Sequence, residues 1–365
     1  MARSVPRREW WLGRRVLVTG HTGFVGGWLC AWLGRLGARV SGYALGPPTD
    51  PSFFTATGLA ARLDASETGD VNDLDSLSRA VARCDPSVVF HLAAQPLVRE
   101  AHRDPVATFR TNAMGTVNVL EACRAARGLE SVVCYTTDKV YRNDQSGRPF
   151  TERDALGGNE PYSASKACAE WVAGAYWESY FARTPRPPAL AVVRAGNIVG
   201  GGDWAADRLL PDAIRAFSAN RALELRSPGS TRPWQHVLDA VRGTLLLAQR
   251  EHASPVPAEA LAWNLGPPGG EVHSVAEVAD AAVRAWGEGA SWKHVADASI
   301  PESRALTLSS ERARVELGWS RAWDLERSVA ASVAWYRAAA RGGDLAAITA
   351  AQIDEHVMDA SGTAG

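Results

Sequence analysis

The chain has 365 residues, 46% of them hydrophobic and 22% charged, with a formal net charge of -1 from 39 Lys and Arg against 40 Asp and Glu. This length accommodates two domains, and the balanced charge removes the electrostatic basis for binding nucleic acid or a membrane surface. No apolar run reaches the ~18 residues that a membrane span needs. The five cysteines are odd in number and form no CxxC pair. They predict neither a disulfide framework nor a metal site, and they favour a reducing, cytoplasmic location.

The first half of the chain alternates short β-rich runs with helical patterns. Residues 15–19 predict a strand, a glycine-rich turn covers 20–26, and apolar residues at helical spacing follow up to Gly37. Further strands are predicted at 38–44, 87–92, 131–136 and 189–194, and helices at 104–127 and 162–182. This alternation predicts an α/β fold with a Rossmann-type, doubly wound parallel sheet.

The pattern changes after the three glycines at 200–202, where prolines, tryptophans and loops become denser. A helix at 237–250 and a strand at 262–265 are predicted to return to the sheet, and the rest predicts a smaller C-terminal substrate-binding domain. The predicted division is a Rossmann domain of residues 14–198 plus about 233–266, a substrate domain of about 199–232 plus 267–341, and a weakly patterned tail of 342–365.

A glycine motif, Gly20-x-x-Gly23-x-x-Gly26, follows the first strand and opens a helix. The glycines allow a tight turn and a close backbone approach, so amides at the helix N-terminus can hold a pyrophosphate. The alternative is an ordinary turn between a strand and a helix, and the local context favours the dinucleotide site. The spacing resembles that of the short-chain dehydrogenase/reductases.

The acid that would hold a ribose 2′-hydroxyl at the end of the second strand is absent. Ser41-Gly42-Tyr43-Ala44 stands there, and no arginine follows closely to receive a 2′-phosphate. This part of the sequence therefore leaves NAD and NADP both open. Asp70-Val71 follows a third short strand, where such folds pack adenine, and the alternative for Asp70 is an exposed loop aspartate.

Only three of the 39 basic residues are lysines, at 139, 166 and 293, which leaves 36 arginines. Retained lysines, unless kept by chance, mark positions where a tunable pKa or a compact ammonium is needed. Lys166 ends the motif Tyr162-Ser-Ala-Ser-Lys166, in which the two ends share one face of a helix. A nearby ammonium lowers the pKa of a tyrosine and makes its phenolate available as a base.

Lys139 belongs to a second run, Thr136-Thr137-Asp138-Lys139, at the end of a predicted strand. The carboxyl ends of parallel strands line the ligand crevice, so a hydroxyl, a carboxylic acid and an amine arrive there together. They offer a hydrogen-bonding partner for a substrate oxygen, a proton donor and a potential base. The alternative is a surface Asp–Lys pair.

Together these residues resemble the extended short-chain dehydrogenase/reductases that act on nucleotide sugars, and within them the CDP-glucose 4,6-dehydratase family. The superfamily shares the glycine loop and YxxxK, whereas TTDKVY, GGGDWAADR and RPWQHV are more specific to this branch. The segments that carry the resemblance are GHTGF (20–24), GYALGPPTDPSFF (42–54), HLAAQPLVRE (91–100), TNAMGTVNVLEA (111–122), TTDKVY (136–141), LGGNEPYSASKACAE (156–170), VRAGNIVGGGDWAADRL (193–209), RPWQHV (232–237) and LGW (317–319).

The resemblance implies a dehydration on bound NAD that yields a 4-keto-6-deoxy sugar nucleotide. Tyr162, with Lys166 and Thr137, would deprotonate the glucose 4-hydroxyl, and Asp138 would protonate the departing 6-hydroxyl. Lys139 would remove the C5 proton if its pKa is depressed. Otherwise it would stabilise the enolate electrostatically.

The resemblance also implies two sets of binding residues. Arg208 and Arg232 are the pyrophosphate candidates, because a forked cation suits phosphate oxygens; solvated surface arginines are the alternative. For His236 the alternative is a hydrogen-bonded structural histidine. The implied cofactor-binding residues are Gly20, Thr22, Gly23, Phe24, Gly26, Asp70, Val71, Leu92, Ala93, Ala94, Tyr162 and Lys166, and the substrate-binding residues are Gln95, Asn197, Arg208, Arg232 and His236.

One departure from the branch is Val25, which stands where the glycine loop usually carries a lysine. The loss of that cation could change the affinity for the cofactor. Residues 142–147 also lack the tryptophan-rich insert of many relatives, so the loop over the sugar could differ and the substrate could be another nucleotide hexose. A nucleotide-sugar 4-epimerase is a second alternative, although it needs no acid–base pair for C5 and C6, and a non-catalytic nucleotide sensor is a third. Relatives commonly dimerise through two helices per subunit, here at about 101–126 and 162–182, so a homodimer is expected.

Overall fold

The computed structural model describes residues 4–250, 257–258, 261–295 and 306–362, and the parts of the predicted domains and tail at 251–256, 259–260, 296–305 and 363–365 lie outside them. The strands are β1 (Arg15–Thr19), β2 (Arg39–Ala44), β3 (Ala65–Thr68), β4 (Val88–His91), β5 (Ser131–Tyr135), β6 (Ala189–Ala195), β7 (Asn197–Val199), β8 (Leu223–Leu225), β9 (Thr231–Arg232), β10 (Trp234–His236), β11 (Ala262–Leu265), β12 (His273–Ser274) and β13 (Trp292–His294). The α-helices are α1 (Arg8–Trp11), α2 (Phe24–Arg35), α3 (Phe53–Ala56), α4 (Leu74–Cys84), α5 (Val98–Arg103), α6 (Pro105–Phe109), α7 (Gly115–Arg124), α8 (Pro161–Ser179), α9 (Leu209–Ser218), α10 (Val237–Ala248), α11 (Val275–Trp286), α12 (Glu311–Leu317), α13 (Leu325–Ala340) and α14 (Leu345–Ser361).

Seven strands form one parallel sheet in the order β11-β6-β5-β4-β1-β2-β3. The strand order reverses between β1 and β4, and in such sheets the crevice at the carboxyl ends of these strands receives the ligand. The predicted Rossmann-type sheet is confirmed, including the return of β11 to its edge.

Apolar side chains bury both faces of this sheet. In β1, Val16 and Val18 point into a core shared with α2 and α10, whereas Leu17 points into a core shared with α4, α7 and α8. Strands buried on both faces read as continuous apolar runs rather than alternating ones. This is why the short runs of valine and leucine identify the strands.

The C-terminal half adds short strand pairs outside the main sheet. β8 pairs with β13, β9 with β12, and β7 with β10. Val278 of α11 and Val329 of α13 belong to the same buried cluster as α9 residues such as Phe217. A doubly wound sheet with a smaller C-terminal region is therefore the observed fold class.

The expectation of a weakly patterned tail from residue 342 is wrong for residues 345–361. They form α14, which Asp344 caps and which buries Ile353 and His356. His356 Nε2 lies 3.0 Å from Asp239 Oδ1 of α10, and its ring meets Trp32 of α2 edge-on. Alanine-rich helices carry a weak hydrophobic periodicity, which conceals the packed face. Among the described helices, none combines the length and apolarity needed to cross a bilayer.

Candidate active site

The glycine loop leaves no room for side chains. Gly20 has φ +79°, and a Cβ built there would lie 2.7 Å from the Ala93 nitrogen; at Gly26 a Cβ would lie 2.2 Å from the Gly20 carbonyl oxygen. The loop therefore lies directly against the segment at 92–93, with the N-terminus of α2 behind it. A cradle of bare backbone at a helix N-terminus fits a dinucleotide pyrophosphate.

Two glycines of α2 provide a matched test of this cradle. Gly26→Ala is expected to lower NAD affinity and to cost roughly 1–3 kcal/mol of unfolding free energy, because the backbone around Gly20 must move. Gly34→Ala, on the same helix with nothing within 4 Å of the added Cβ, should instead stabilise the protein by about 1 kcal/mol. Thermal unfolding with and without NAD measures both effects. Equal behaviour of the two variants would contradict the cradle.

An imidazole packs against β2, the strand on which the sequence lacks the expected ribose-binding acid. A Cβ at Gly42 would lie 2.2 Å from the His21 ring, and His21 Nε2 lies 2.8 Å from Ser66 Oγ. Burial lowers the pKa of His21 to about 4, so the ring is neutral at physiological pH. A glycine is therefore needed at position 42 to leave room for the ring of His21, which follows Gly20.

The predicted adenine segment lies beyond β3. Val71 is buried. It packs so closely against Gly115 that a Cβ added to that glycine would lie 2.8 Å from Val71 Cγ2. The Asp70 carboxylate accepts hydrogen bonds from the Asn72 backbone and side-chain nitrogens, both at 2.9 Å, and the Tyr43 hydroxyl donates to the Asp70 carbonyl at 3.1 Å. Asp70 is therefore held in an ordered turn beside a buried apolar side chain.

Two other loop residues tie the glycine loop to its surroundings. Thr22 Oγ1 donates to the Leu45 carbonyl at 3.0 Å. The Phe24 ring packs so closely against Gly200 that a Cβ added to Gly200 would lie 3.0 Å from the ring. These contacts fix the loop between β2 and the segment that follows β7.

The predicted catalytic side chains meet between the end of β5 and the start of α8. Thr137 Oγ1 donates to Asp138 Oδ1 at 3.0 Å, and Thr137 is close enough to Tyr162 to lower the pKa of its phenol. Tyr162 is 8% exposed. Glu160 caps α8 by accepting from the nitrogens of Tyr162 and Ser163. The cap fixes the first turn of α8 and therefore the position of the Tyr162 backbone that carries the phenol.

Burial is the largest influence on the pKa values of Tyr162 and Lys166 on α8. It raises the pKa of Tyr162 to about 12, against the effects of Thr137 and the cation Arg208, which lower it. Burial also lowers the pKa of Lys166 to about 8, and the Lys166 ammonium donates to the Tyr135 carbonyl at 3.0 Å. Arg208 is thus a cation near the phenol, whereas Lys166 is bonded to the end of β5.

Asp138 offers a buried oxygen toward the site. Its side chain is 1% exposed; Oδ1 accepts from Thr137 and lies 3.3 Å from Lys139 Nζ, while Oδ2 has no hydrogen-bond partner among the described residues. A buried polar atom without a partner is uncommon and calls for a ligand or a functional role. The third lysine, Lys293, pairs with Glu224 on the surface at 3.0 Å, so two of the three retained lysines lie at the site.

Three of the predicted substrate residues remain candidates on their geometry. Asn197 Oδ1 on β7 is buried without a partner among the described residues. Arg208 Nη1 lies 3.7 Å from Asp203 Oδ2, and Arg232 Nη1 donates to the Thr231 carbonyl at 2.7 Å. Because β10 pairs with β7, the segment that follows Arg232 lies beside Asn197.

Gln95 and His236 both have hydrogen-bond partners within the protein. The Gln95 amide donates to the Leu97 carbonyl and to Thr108 Oγ1, and it accepts from the Leu97 nitrogen. His236 is fully buried, and its Nδ1 accepts from the Leu238 nitrogen at the start of α10. Gln95 thus helps to order its loop and His236 caps α10, while His236 Nε2 is buried without a partner among the described residues; both stay predictions as substrate residues.

Sequence reasoning missed two arginines that converge next to Arg208. Arg99 of α5 lies 3.7 Å from Asp207 Oδ1, and Arg226, which follows β8, lies 3.4 Å from the same atom. Asp207 adopts a left-handed φ of +60°. In a chain with so many arginines, composition does not distinguish these two.

Sequence reasoning also missed a chain of buried hydrogen bonds through His91. Its Nδ1 lies 2.8 Å from Thr19 Oγ1, and its Nε2 lies 3.1 Å from Thr116 Oγ1, which donates to the Asn112 carbonyl at 2.7 Å. His91 therefore donates from Nε2 and accepts at Nδ1. Burial lowers its pKa to about 3, with Lys166 as a second cause. The neutral ring joins the strand before the glycine loop to a π-helical turn at Arg110–Met114.

The parallel sheet, the glycine cradle and the Tyr–Lys helix define a short-chain dehydrogenase/reductase of the extended type. The chain belongs to the NAD dependent epimerase/dehydratase family, whose model matches residues 16–266.

Individual relatives lie within the same group. A CDP-glucose 4,6-dehydratase of Salmonella typhimurium is 40% identical over 353 residues, which covers 96% of this chain and 98% of the relative. A dTDP-glucose 4,6-dehydratase of Streptomyces griseus is 32% identical and covers 88% of this chain and 93% of its own length. The solved structure of MoeE5 in complex with UDP-glucuronic acid and NAD is 27% identical, covers 88% of this chain and 98% of that chain, and superimposes with a TM-score of 0.73.

Proposed function

We propose that the protein is an NAD-dependent 4,6-dehydratase that converts CDP-glucose to the corresponding 4-keto-6-deoxy sugar nucleotide. The observation that carries the proposal is the Asp138–Lys139 pair beside Thr137 and Tyr162. A 4,6-dehydratase needs an acid at C6 and a base at C5 of the sugar, whereas a 4-epimerase needs neither. The similarity to a CDP-glucose 4,6-dehydratase over nearly the whole chain supports the choice of nucleotide.

NAD fits the glycine cradle, in which side chains are excluded at Gly20 and Gly26. The residues that would hold it are those of the glycine loop, the segments at 70–71 and 92–94, and Lys166. When bound, NAD would supply the reversible hydride acceptance that this dehydration requires and a positive charge that would favour the Tyr162 phenolate.

The protein's own groups move the protons. Tyr162 takes the proton of the 4-hydroxyl, and Thr137 holds the oxygen by a hydrogen bond. The C4 ketone acidifies the C5 proton, which Lys139 removes and later returns to C5 when the hydride is added at C6. Asp138, in its acid form, protonates the departing 6-hydroxyl from its unpartnered oxygen. Water therefore leaves across C5 and C6 without an external acid or base.

The direct test mixes the protein with CDP-glucose and NAD and follows the alkali-induced absorbance of a 4-keto sugar. Parallel reactions with dTDP-glucose and UDP-glucose identify the nucleotide, since the loop at 142–147 lacks the tryptophan-rich insert of many relatives. A ketone from CDP-glucose, without net consumption of NAD, is the expected result. Recovery of CDP-galactose without ketone would establish the epimerase instead.

Lys139→Arg is expected to keep a cation beside Asp138 but to lose most exchange of the C5 hydrogen with solvent, because a guanidinium stays charged and cannot serve as a base. The measurement is incorporation of deuterium into the product in deuterated water. Lys293→Arg, on the surface, is the matched control. Unchanged exchange in Lys139→Arg would remove the base role and leave Lys139 as an electrostatic stabiliser.

We further propose a homodimer built on the helical faces of α6, α7 and α8. Trp171 is 70% exposed on α8, and Val106 and Met114 are also exposed, on α6 and just before α7. Exposed apolar side chains on neighbouring helices are typical of an interaction surface. Light scattering should give twice the chain mass for the native protein, and Trp171→Glu should shift it toward the monomer.

The cytoplasm is the proposed location. All five cysteines are free, and Cys30, Cys123 and Cys134 are buried. Unpaired cysteines are the usual state of proteins in a reducing compartment.

A further inference from the structure

A buried ion pair lies beside the catalytic residues and has no role in the proton transfers above. Glu170 of α8 and Arg194 of β6 each expose 5% of their side chains. Arg194 Nε donates to both carboxylate oxygens, at 2.9 and 3.0 Å, and Nη2 donates to Oε2. Burying two ions costs hydration free energy, which only good geometry and further hydrogen bonds can offset.

Those further bonds reach the strand end that carries the catalytic turn at 137–139. Thr136 Oγ1 donates to Glu170 Oε1 at 2.7 Å. One helical turn earlier, Lys166 donates to the Tyr135 carbonyl at 3.0 Å. Lys166 and Glu170 share a face of α8, so the helix holds two consecutive residues immediately before the catalytic turn.

The other side of Arg194 is fixed by neutral groups. Its Nη1 donates to the Tyr141 hydroxyl at 2.9 Å, and that hydroxyl donates to Asn264 Oδ1 at 2.6 Å. Asn264 Nδ2 in turn donates to the Phe150 carbonyl at 2.9 Å. The network therefore joins β6, β11 and the segment after the catalytic turn to the same carboxylate.

Glu170 also faces Lys166 electrostatically. Burial lowers the pKa of the Lys166 ammonium, and Glu170 acts in the opposite direction. The other ionisable groups that interact with it are Cys134 on β5 and His91 on β4. Arg194 limits the effect of Glu170 because it neutralises part of the carboxylate charge.

We propose that Glu170 and Arg194 are positioning residues for the dehydratase: the pair holds the catalytic turn against Tyr162 through Thr136 and supplies the negative charge that faces Lys166. The inference rests on the proposed function, since it assigns these residues to the same site. Neither side chain touches the substrate in this scheme.

Two variants separate the two parts of the proposal. Thr136→Val removes one hydrogen bond without leaving a buried charge, and it should lower kcat about tenfold with KM unchanged. Glu170→Gln removes the charge, so the Lys166 ammonium should lose its proton at lower pH. The alkaline limb of the kcat profile should then move to lower pH, because fewer molecules carry the ammonium at a given pH.

Thr349→Val is the matched control, because Thr349 is a buried threonine of α14 that donates to the Leu345 carbonyl. It should share any loss of thermal stability but keep kcat and the pH profile. Wild-type protein without ketone formation would refute the proposed function itself. Active wild type with an unchanged kcat in Thr136→Val would refute the positioning role, even if Glu170→Gln fails to fold. An unmoved alkaline limb in folded Glu170→Gln would refute the electrostatic role.

Discussion

Replacing Tyr162 with phenylalanine is expected to lower kcat by a factor of roughly 10²–10⁴, the usual contribution of a general base. In the proposed mechanism the phenol takes the 4-hydroxyl proton, and the remaining Thr137 hydroxyl already donates to Asp138. The fold should be unaffected, because phenylalanine keeps the buried aromatic ring and removes only the hydroxyl. The measurements are ketone formation at saturating CDP-glucose, NAD affinity and the melting temperature.

Tyr176→Phe is the matched control on the same helix. Its hydroxyl donates to Glu121 Oε2 at 3.1 Å, more than three helical turns from Tyr162. This variant should retain wild-type turnover. Normal turnover in Tyr162→Phe would mean that another group starts the reaction, and the assignment of the Tyr–Lys helix would be wrong.

Local patterns in the sequence were sufficient to identify the sheet and to select candidate catalytic residues that lie close together in the structure. Tyr162 and Lys166 are one turn apart on one helix, and Thr137 to Lys139 are consecutive, so their spacing survives folding. The glycine loop is likewise a local signal, since its tight turn depends on residues within one segment. The sheet order then brings these segments to the same edge.

Contacts between distant segments were not visible in the sequence. His91 joins Thr19 of β1 to Thr116 of α7, a role that does not follow from the residue type. The convergence of Arg99 and Arg226 on Asp207 joins segments more than a hundred residues apart. Such placements depend on how loops pack, and charge alone cannot predict them where most cations are arginines.

Asp138→Asn should separate the two halves of the reaction. The amide keeps the shape of the side chain and an oxygen that can accept from Thr137, but it cannot supply the proton for the departing 6-hydroxyl. We expect overall turnover to fall by roughly 10²-fold or more, while C4 oxidation continues. The absorbance of reduced cofactor should therefore build up, and C5 exchange with deuterated water should persist because Lys139 remains.

Asp144→Asn is the control for this change, since Asp144 lies in the loop after the catalytic turn with an exposed side chain. It should leave every rate unchanged. Full turnover in Asp138→Asn would mean that the proton for C6 comes from elsewhere. If oxidation and elimination fell equally, Asp138 would instead act through the position of Thr137, because only an acid specific to C6 can slow the second half alone. If Asp138 is the acid at C6 and Lys139 is a separate base at C5, then Asp138→Asn should accumulate reduced cofactor and still exchange the C5 hydrogen.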